Sequence, residues 1–176
     1  MFVPRATPAA AFLMCSTSRI VRAFTFPSSY SAHRPFVTRM SSALASSFSG
    51  KVQVPIPYAI AHHQSLKFLD GSWWLGKRET TSREDFEQGP RISGAHYFDI
   101  DDICASPGSK ENPKSLPHMM PTPSVFASAM DAMGIANSDH IVVYGQKGCP
   151  FAYRVWFQIA CMGHDFDKVH LLEGSM

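Results

Sequence analysis

The residues best placed to do chemistry stand in one short stretch, Gly145-Gln146-Lys147-Gly148-Cys149-Pro150, with Arg154 just beyond it. A β-branched run, His140-Ile141-Val142-Val143-Tyr144, leads into this stretch, and a helical pattern from Phe151 to Met162 leads out. Glycines in such a turn let backbone N–H groups gather round an anion, and the start of the helix adds positive potential. A thiol in that position loses its proton more readily, and the thiolate is the nucleophile. One feature counts against Cys149: Pro150 follows it and takes one donor out of the loop. An inert or weakly reactive Cys149 is therefore expected.

The other reactive side chains have plainer readings. His62, His63, His96 and His118 show no Cys/His spacing of a metal site, and adjacent histidines on a predicted helix point to different sides. They are expected to be solvated or packed, with no metal and no cofactor. Asp99, Asp101 and Asp102 are followed by Ile103-Cys104-Ala105, which breaks the alternating oxygen ligands of a calcium loop. Capping, or pairing with Arg91, is expected instead. Trp156 shares a helical face with Val155 and Ile159, so it and the Trp73-Trp74 pair read as core or domain-interface packing. Cys161 reads as a small buried residue. With no C-x-x-C and an odd number of thiols after residue 50 (Cys104, Cys149, Cys161), a disulfide framework is not expected and a reducing compartment is favoured.

The elements that must position these groups alternate in type. Leu66–Asp70 and Ala95–Asp99 read as strands, each ending in an acid. A long polar loop, 101–121, follows, with Pro107, Gly108, Pro113 and Pro117 blocking regular structure. Thr122 and Pro123 open a helix, since the hydroxyl caps and proline suits the first turn. Phe126, Ala129, Met130 and Met133 then form one apolar stripe, and Gly134 stops the helix with Ile135 folding back. After the strand 140–144 and the helix 151–162 comes a last apolar run, Lys168–Leu172. Strand–helix–strand alternation predicts an α/β fold with a parallel sheet and right-handed crossovers. The last strand needs a further helix to cover its exposed side, so the chain reads as truncated at its C-terminus.

Charge divides the 176 residues in two. Residues 1–50 hold five arginines, no lysine and no acid, whereas 51–176 hold all fourteen acids against eleven basic residues, a net −3. A nucleic-acid surface is not indicated. No apolar run approaches the roughly 18 residues that span a bilayer, so no membrane partner is expected. The Ser-, Ala- and Arg-rich segment 1–50 has the composition of an organelle transit peptide, mitochondrial or alternatively plastid. Two rival readings are a secretory signal built on Arg5 and Ala9–Cys15, and a disordered tail.

Six pieces carry a family likeness: Leu69-Asp70-Gly71-Ser72-Trp73, Arg91 through Asp101, Leu116-Pro117-His118-Met119-Met120-Pro121, His140–Tyr144, Arg154-Val155-Trp156, and Leu171-Leu172-Glu173-Gly174. In this order and spacing they resemble the first domain of the tandem rhodanese-type 3-mercaptopyruvate and thiosulfate sulfurtransferases, with Ser93 departing from the proline usual before Gly-Ala. The resemblance implies a rhodanese-like domain over 51–176, the first of a pair and incomplete. It implies a persulfide mechanism, in which a cysteine directly after a buried strand takes sulfur from 3-mercaptopyruvate or thiosulfate. The acceptor would be a thiol, such as thioredoxin or a small thiol, or cyanide. That cysteine is expected in a second domain in cis, because Gly145 fills its position here. Gly145, Gly148, Cys149 and Arg154 are then the counterpart of the active loop, without a catalytic residue. The cell-cycle type of dual-specificity phosphatase shares this fold but needs five residues between Cys and Arg, and Cys149 to Arg154 has four. Two other readings stand beside the enzyme: an inactive module for partner binding or regulation, and a single-domain persulfide or redox carrier using Cys149.

Overall fold

The computed structural model describes residues 51–176, so the segment read as a transit peptide lies outside the described residues. The elements run β1 (Gln53–Val54), α1 (Ile56–Ala61), β2 (Leu66–Asp70), α2 (Ser82–Gln88), β3 (His96–Tyr97), α3 (Pro123–Ala132), β4 (His140–Tyr144), α4 (Ala152–Cys161) and β5 (Val169–Leu172). All strands join one sheet in the order β1-β5-β4-β2-β3, and every pairing is parallel. This is the predicted α/β architecture.

The centre of the sheet explains its own sequence. β4 has neighbours on both edges and is covered on both faces, so both sets of alternating residues must be apolar. Ile141, Val142 and Val143 are each 0% exposed, and each buried aliphatic side chain contributes roughly 1.5–3 kcal/mol. On one face Leu69, Ile141, Val143, Val169 and Leu171 pack against Phe126 and Met130 of α3 and Val155 and Ile159 of α4. On the other, Leu66, Phe68, Val142 and Tyr144 pack with Val54 and with Ala59 of α1.

Helix α3 begins and ends as its residues dictate. Thr122 Oγ1 accepts the Val125 N–H at 3.3 Å, and Pro123 occupies the first turn. At the far end Gly134 takes φ +64°, and the Ile135 N–H returns to the Met130 carbonyl at 3.0 Å. This is the left-handed termination expected of glycine.

Four details differ from the sequence expectation. The strand at 95–99 is only His96–Tyr97, because these pair with the last two residues of β2. Beyond them Asp99 turns the chain by accepting the Asp101 N–H on its side chain and the Ile103 N–H on its carbonyl. His62 and His63 lie outside the α-helix: α1 ends at Ala61, His62 caps it and His63 opens a 3-10 turn leading into β2. Cys161 is exposed rather than buried. Finally, a strand that the sequence did not show, β1, pairs with β5 through Gln53↔Leu171 and Val54↔Leu172 and forms the edge of the sheet. Two residues of strand carry almost no periodicity, which hid β1 from the sequence. On the α1 face an apolar hollow of about 220 Å³ remains, lined by Ile56, Ile60, Phe68, Ile92, Leu172 and Met176.

Candidate functional site

The loop after β4 is built around an absence. Gly145 follows Tyr144, and a Cβ placed on it would lie 3.4 Å from Ala152 Cβ, 3.7 Å from Ser72 Oγ and 3.5 Å from the Cys149 carbonyl oxygen. The space accepts a small side chain, but what faces it is an acceptor rather than a ring of donors. Three of the neighbouring N–H groups are already engaged. Gln146 N–H donates to Ser72 Oγ at 2.8 Å, Lys147 N–H to the Met176 carbonyl at 2.8 Å and Cys149 N–H to the Gln146 carbonyl at 2.9 Å. Pro150 has no N–H to give. Gly148 takes φ +82° and so closes the turn in a conformation that favours glycine. An anion-stabilising cradle needs free, convergent donors, and these three are not free.

One turn braces the loop from below. Asp70, fully buried at the end of β2, accepts the Ser72 N–H at 2.8 Å. Burial pushes its carboxyl above the ordinary range, outweighing that hydrogen bond. Between them, Gly71 is required by proximity to α4: an added Cβ would sit 2.9 Å from Val155 Cγ2. Ser72 thus links strand end to loop, and its carbonyl also receives the Tyr97 hydroxyl at 3.0 Å.

Cys149 Sγ lies against the backbone of Trp73, receiving its N–H at 3.2 Å and donating to its carbonyl at 3.1 Å. The thiol is occupied as a packing hydrogen-bonder. Arg154 leaves the loop altogether. Its guanidinium donates to Gln158 Oε1 at 2.9 Å, to the His118 carbonyl at 2.9 Å and to Met120 Sδ at 3.2 Å. Half-burial draws its pKa below the usual value. Arg154 therefore fastens α4 to the 101–121 loop, and the phosphate-encircling role fails on direction as well as on spacing.

That long loop is where the sequence reading missed most. Asn112, 1% exposed, donates to the carbonyls of Ala105 and Leu116 at 3.3 and 2.8 Å and accepts the Leu116 N–H at 2.8 Å. One amide side chain closes the loop on itself. His118 then adopts φ +55°, an uncommon conformation for a residue with a side chain. Its Nδ1 sits 2.8 Å from Asp101 Oδ1, a close polar contact without the alignment of a hydrogen bond. The other oxygen of Asp101 accepts Trp73 Nε1–H at 2.8 Å. Trp73 packs edge-on against both His118 and Phe151, with ring centroids 4.5 and 4.7 Å apart. Asp101 therefore does not pair with Arg91, which donates to the Phe86 and Glu87 carbonyls; it is Asp99 and Asp102 that pair, with Arg83. His118 is not a mere packing histidine but a carboxylate-positioned imidazole beside the loop. Chemically such a pair can hold or deliver a proton. The one sequence signal for it was Leu-Pro-His-Met-Met-Pro, two prolines round a histidine in a loop. A cavity of about 640 Å³ opens next to it, lined by Trp73, Trp74, Lys77, Arg83, Asp99 and Asp101 among others. Among the described residues no group of three His, Cys, Asp or Glu side chains is arranged to hold a metal, and no helix is long and apolar enough to cross a membrane.

Comparison with known proteins places this geometry. No family model matches the chain. Thiosulfate/3-mercaptopyruvate sulfurtransferase 1, mitochondrial, of Arabidopsis thaliana is 35% identical over 136 residues, covering 77% of this chain and 34% of that protein. The 3-mercaptopyruvate sulfurtransferase of Rattus norvegicus is 36% identical over 114 residues, covering 64% and 35%. Among solved structures, SseA of Escherichia coli, a 3-mercaptopyruvate sulfotransferase described as having the rhodanese fold, superposes with a TM-score of 0.60 at 26% identity, over 71% of this chain and 45% of its own. The chain thus spans about a third of the length of the curated relatives it matches. By fold and by sequence, the described residues are a rhodanese domain of the 3-mercaptopyruvate and thiosulfate sulfurtransferase family.

Proposed function

We propose that the protein is a sulfurtransferase whose nucleophilic cysteine belongs to a second rhodanese domain in cis, with the domain 51–176 forming the opposing wall of the site. The observation that carries this reading is Gly145. The position directly after β4 has no side chain, a carbonyl faces it, and three nearby amides are bonded elsewhere. The length of the relatives agrees with a further domain.

The chemistry then divides between the two halves. A thiolate attacks the donor's outer sulfur, forming an S–S bond as the donor's own bond to that sulfur breaks. With thiosulfate the leaving group is sulfite, which needs no proton. With 3-mercaptopyruvate a C–S bond breaks and its electrons return to carbon as an enolate, which must be protonated to become pyruvate. His118, oriented by Asp101, is the group on this wall suited to supply that proton. The persulfide passes its sulfur to a thiol, such as thioredoxin or a small thiol, or to cyanide.

The test follows from this asymmetry. In the longer protein, His118→Gln is expected to lower kcat with 3-mercaptopyruvate by about 10²–10⁴-fold, the usual share of a general acid. Thiosulfate turnover should stay within about threefold, and Cys149→Ser should leave both donors unchanged. Equal losses with both donors, or none with either, contradict the role of His118.

An inactive module for partner binding is the second reading, which Gly145 also allows; the further domain that the relatives' length supports is what favours the first. Absence of any downstream cysteine domain in the transcript selects it. The carrier reading is disfavoured by the engagement of Cys149 with Trp73; a persulfide trapped on Cys149 would revive it. The acid-free leader, together with the mitochondrial relative, supports mitochondrial import, with plastid import as the alternative. A fluorescent fusion to residues 1–50 should mark mitochondria, and a diffuse cytosolic signal would refute the address.

A further inference from the structure

At the other end of β4 from the Gly145 loop lie three histidines, His164 and His170 buried and His140 half-buried. His140 and His170 stack almost parallel, with ring centroids 5.6 Å apart and 3° between planes. His140 Nδ1 lies 3.3 Å from His170 Nε2, and His170 Nδ1 lies 3.0 Å from the Lys51 carbonyl oxygen. His170 is 2% exposed. The carbonyl settles the proton positions. It can only accept, so His170 Nδ1 carries hydrogen; a neutral His170 then presents a bare Nε2, and His140 Nδ1 must donate to it. A one-way relay of hydrogen bonds thus runs from β4 through β5 to Lys51, two residues before β1.

The edge that this relay fastens is short: Gln53 pairs with Leu171 and Val54 with Leu172. Leu171 N–H donates to the Val52 carbonyl at 2.7 Å and Glu173 N–H to the Val54 carbonyl at 2.8 Å, and β1 itself is two residues long.

We propose that the His140–His170–Lys51 relay is an acid-released latch, which holds the edge strand β1 on β5 while the rings are neutral and frees it when both are protonated. A first proton is absorbed without loss. His170 becomes a double donor, and His140 moves its hydrogen to Nε2 so that Nδ1 can accept. A second proton sets N–H against N–H, and charge against charge, across 3.3 Å. The pair therefore titrates as a unit.

The surrounding charges do not cancel this. Asp165 and Asp167, in the turn before β5, favour protonation, whereas Lys168 and His164 oppose it. Lys51 contributes its backbone carbonyl, and on β2 the residue in register with His140 is the uncharged Leu66. Burial dominates and holds both rings below the ordinary histidine value of 6.5. His164, 3% exposed, behaves alike: its Nε2–H donates to the Asp139 carbonyl at 2.9 Å, and its buried Nδ1 has no partner to receive a second proton. Because the folded values are depressed, the unfolded or opened chain binds more protons. The stabilisation is present above 6.5 and is lost as pH falls from there through the folded values.

Amide hydrogen exchange on the 176-residue chain at about pH 7.5 and about pH 5 reads the latch directly. Protection factors at Leu171 and Glu173 should fall at least roughly tenfold further than those at Gly71 and Phe98, which bond within the β4–β2–β3 part of the sheet. His140→Asn, which can still donate to His170 but cannot gain a proton, should reduce this difference. If that variant does not fold, a histidine-resolved NMR titration of the wild type decides, with the two rings expected to take protons in separate steps. Parallel loss of protection at all four amides, or two rings titrating independently at the ordinary value, overturns the latch.

Discussion

Gly145 is a substitution whose consequences can be worked out from distances. A cysteine there would have room for its Cβ, yet the Cys149 carbonyl faces it and three loop amides are bonded to Ser72, Met176 and Gln146. A thiolate is stabilised by donors and repelled by an acceptor dipole. Gly145→Cys is therefore expected to give a folded protein whose new thiol titrates at or above about 8.5, the free-cysteine value, measured by the pH dependence of alkylation against Cys149→Ser and Gly145→Cys/Cys149→Ser backgrounds. A value below about 7 would mean that the loop rearranges into a cradle and that its present bonds do not decide the matter. At this scale the sequence was legible where a residue's type alone carries the argument. Gly145 without a side chain and Pro150 without an N–H needed no coordinates. Asp101 and His118 were not legible. Seventeen positions separate them in sequence, and only the folded loop brings their side chains to 2.8 Å.

Among the elements, the loop 98–122 does more than connect. It has no helix or strand, yet Ile100, Ile103, Ala105 and Asn112 are all buried. Its apolar residues are pinned to the core, while Asn112 satisfies the backbone between them. Asn112→Ala leaves the buried Ala105 carbonyl and the part-buried carbonyl and N–H of Leu116 without their partner, at roughly 1–3 kcal/mol for the buried group and less for the part-buried ones. Chemical denaturation should report a loss of about 2–4 kcal/mol, and His118-dependent turnover in the longer protein should fall with it. A loss below about 0.5 kcal/mol would show that water replaces the amide and that the loop needs no clamp. The helices α3 and α4 and the strands β2 and β4 were readable, because apolar periodicity and capping residues are local signals. β1 and the shortened β3 were not, because two-residue strands are fixed by partners far along the chain.

For the whole molecule, the parallel sheet places the two devices at opposite ends of β4: the Gly145 loop with Asp101 and His118 at the C-terminal end, the histidine latch at the N-terminal end. Ligands of open α/β sheets bind beyond the carboxyl ends of the strands, which agrees with the cavity beside Trp73 and Asp101. On the function proposed above, this wall of the site supplies a proton-transfer pair and no sulfur nucleophile. The 176-residue chain alone, assayed for thiocyanate from thiosulfate and cyanide and for pyruvate from 3-mercaptopyruvate and a thiol, should show no turnover above the buffer rate with either donor. Repeated turnovers that disappear in Cys149→Ser would place the nucleophile in this domain instead.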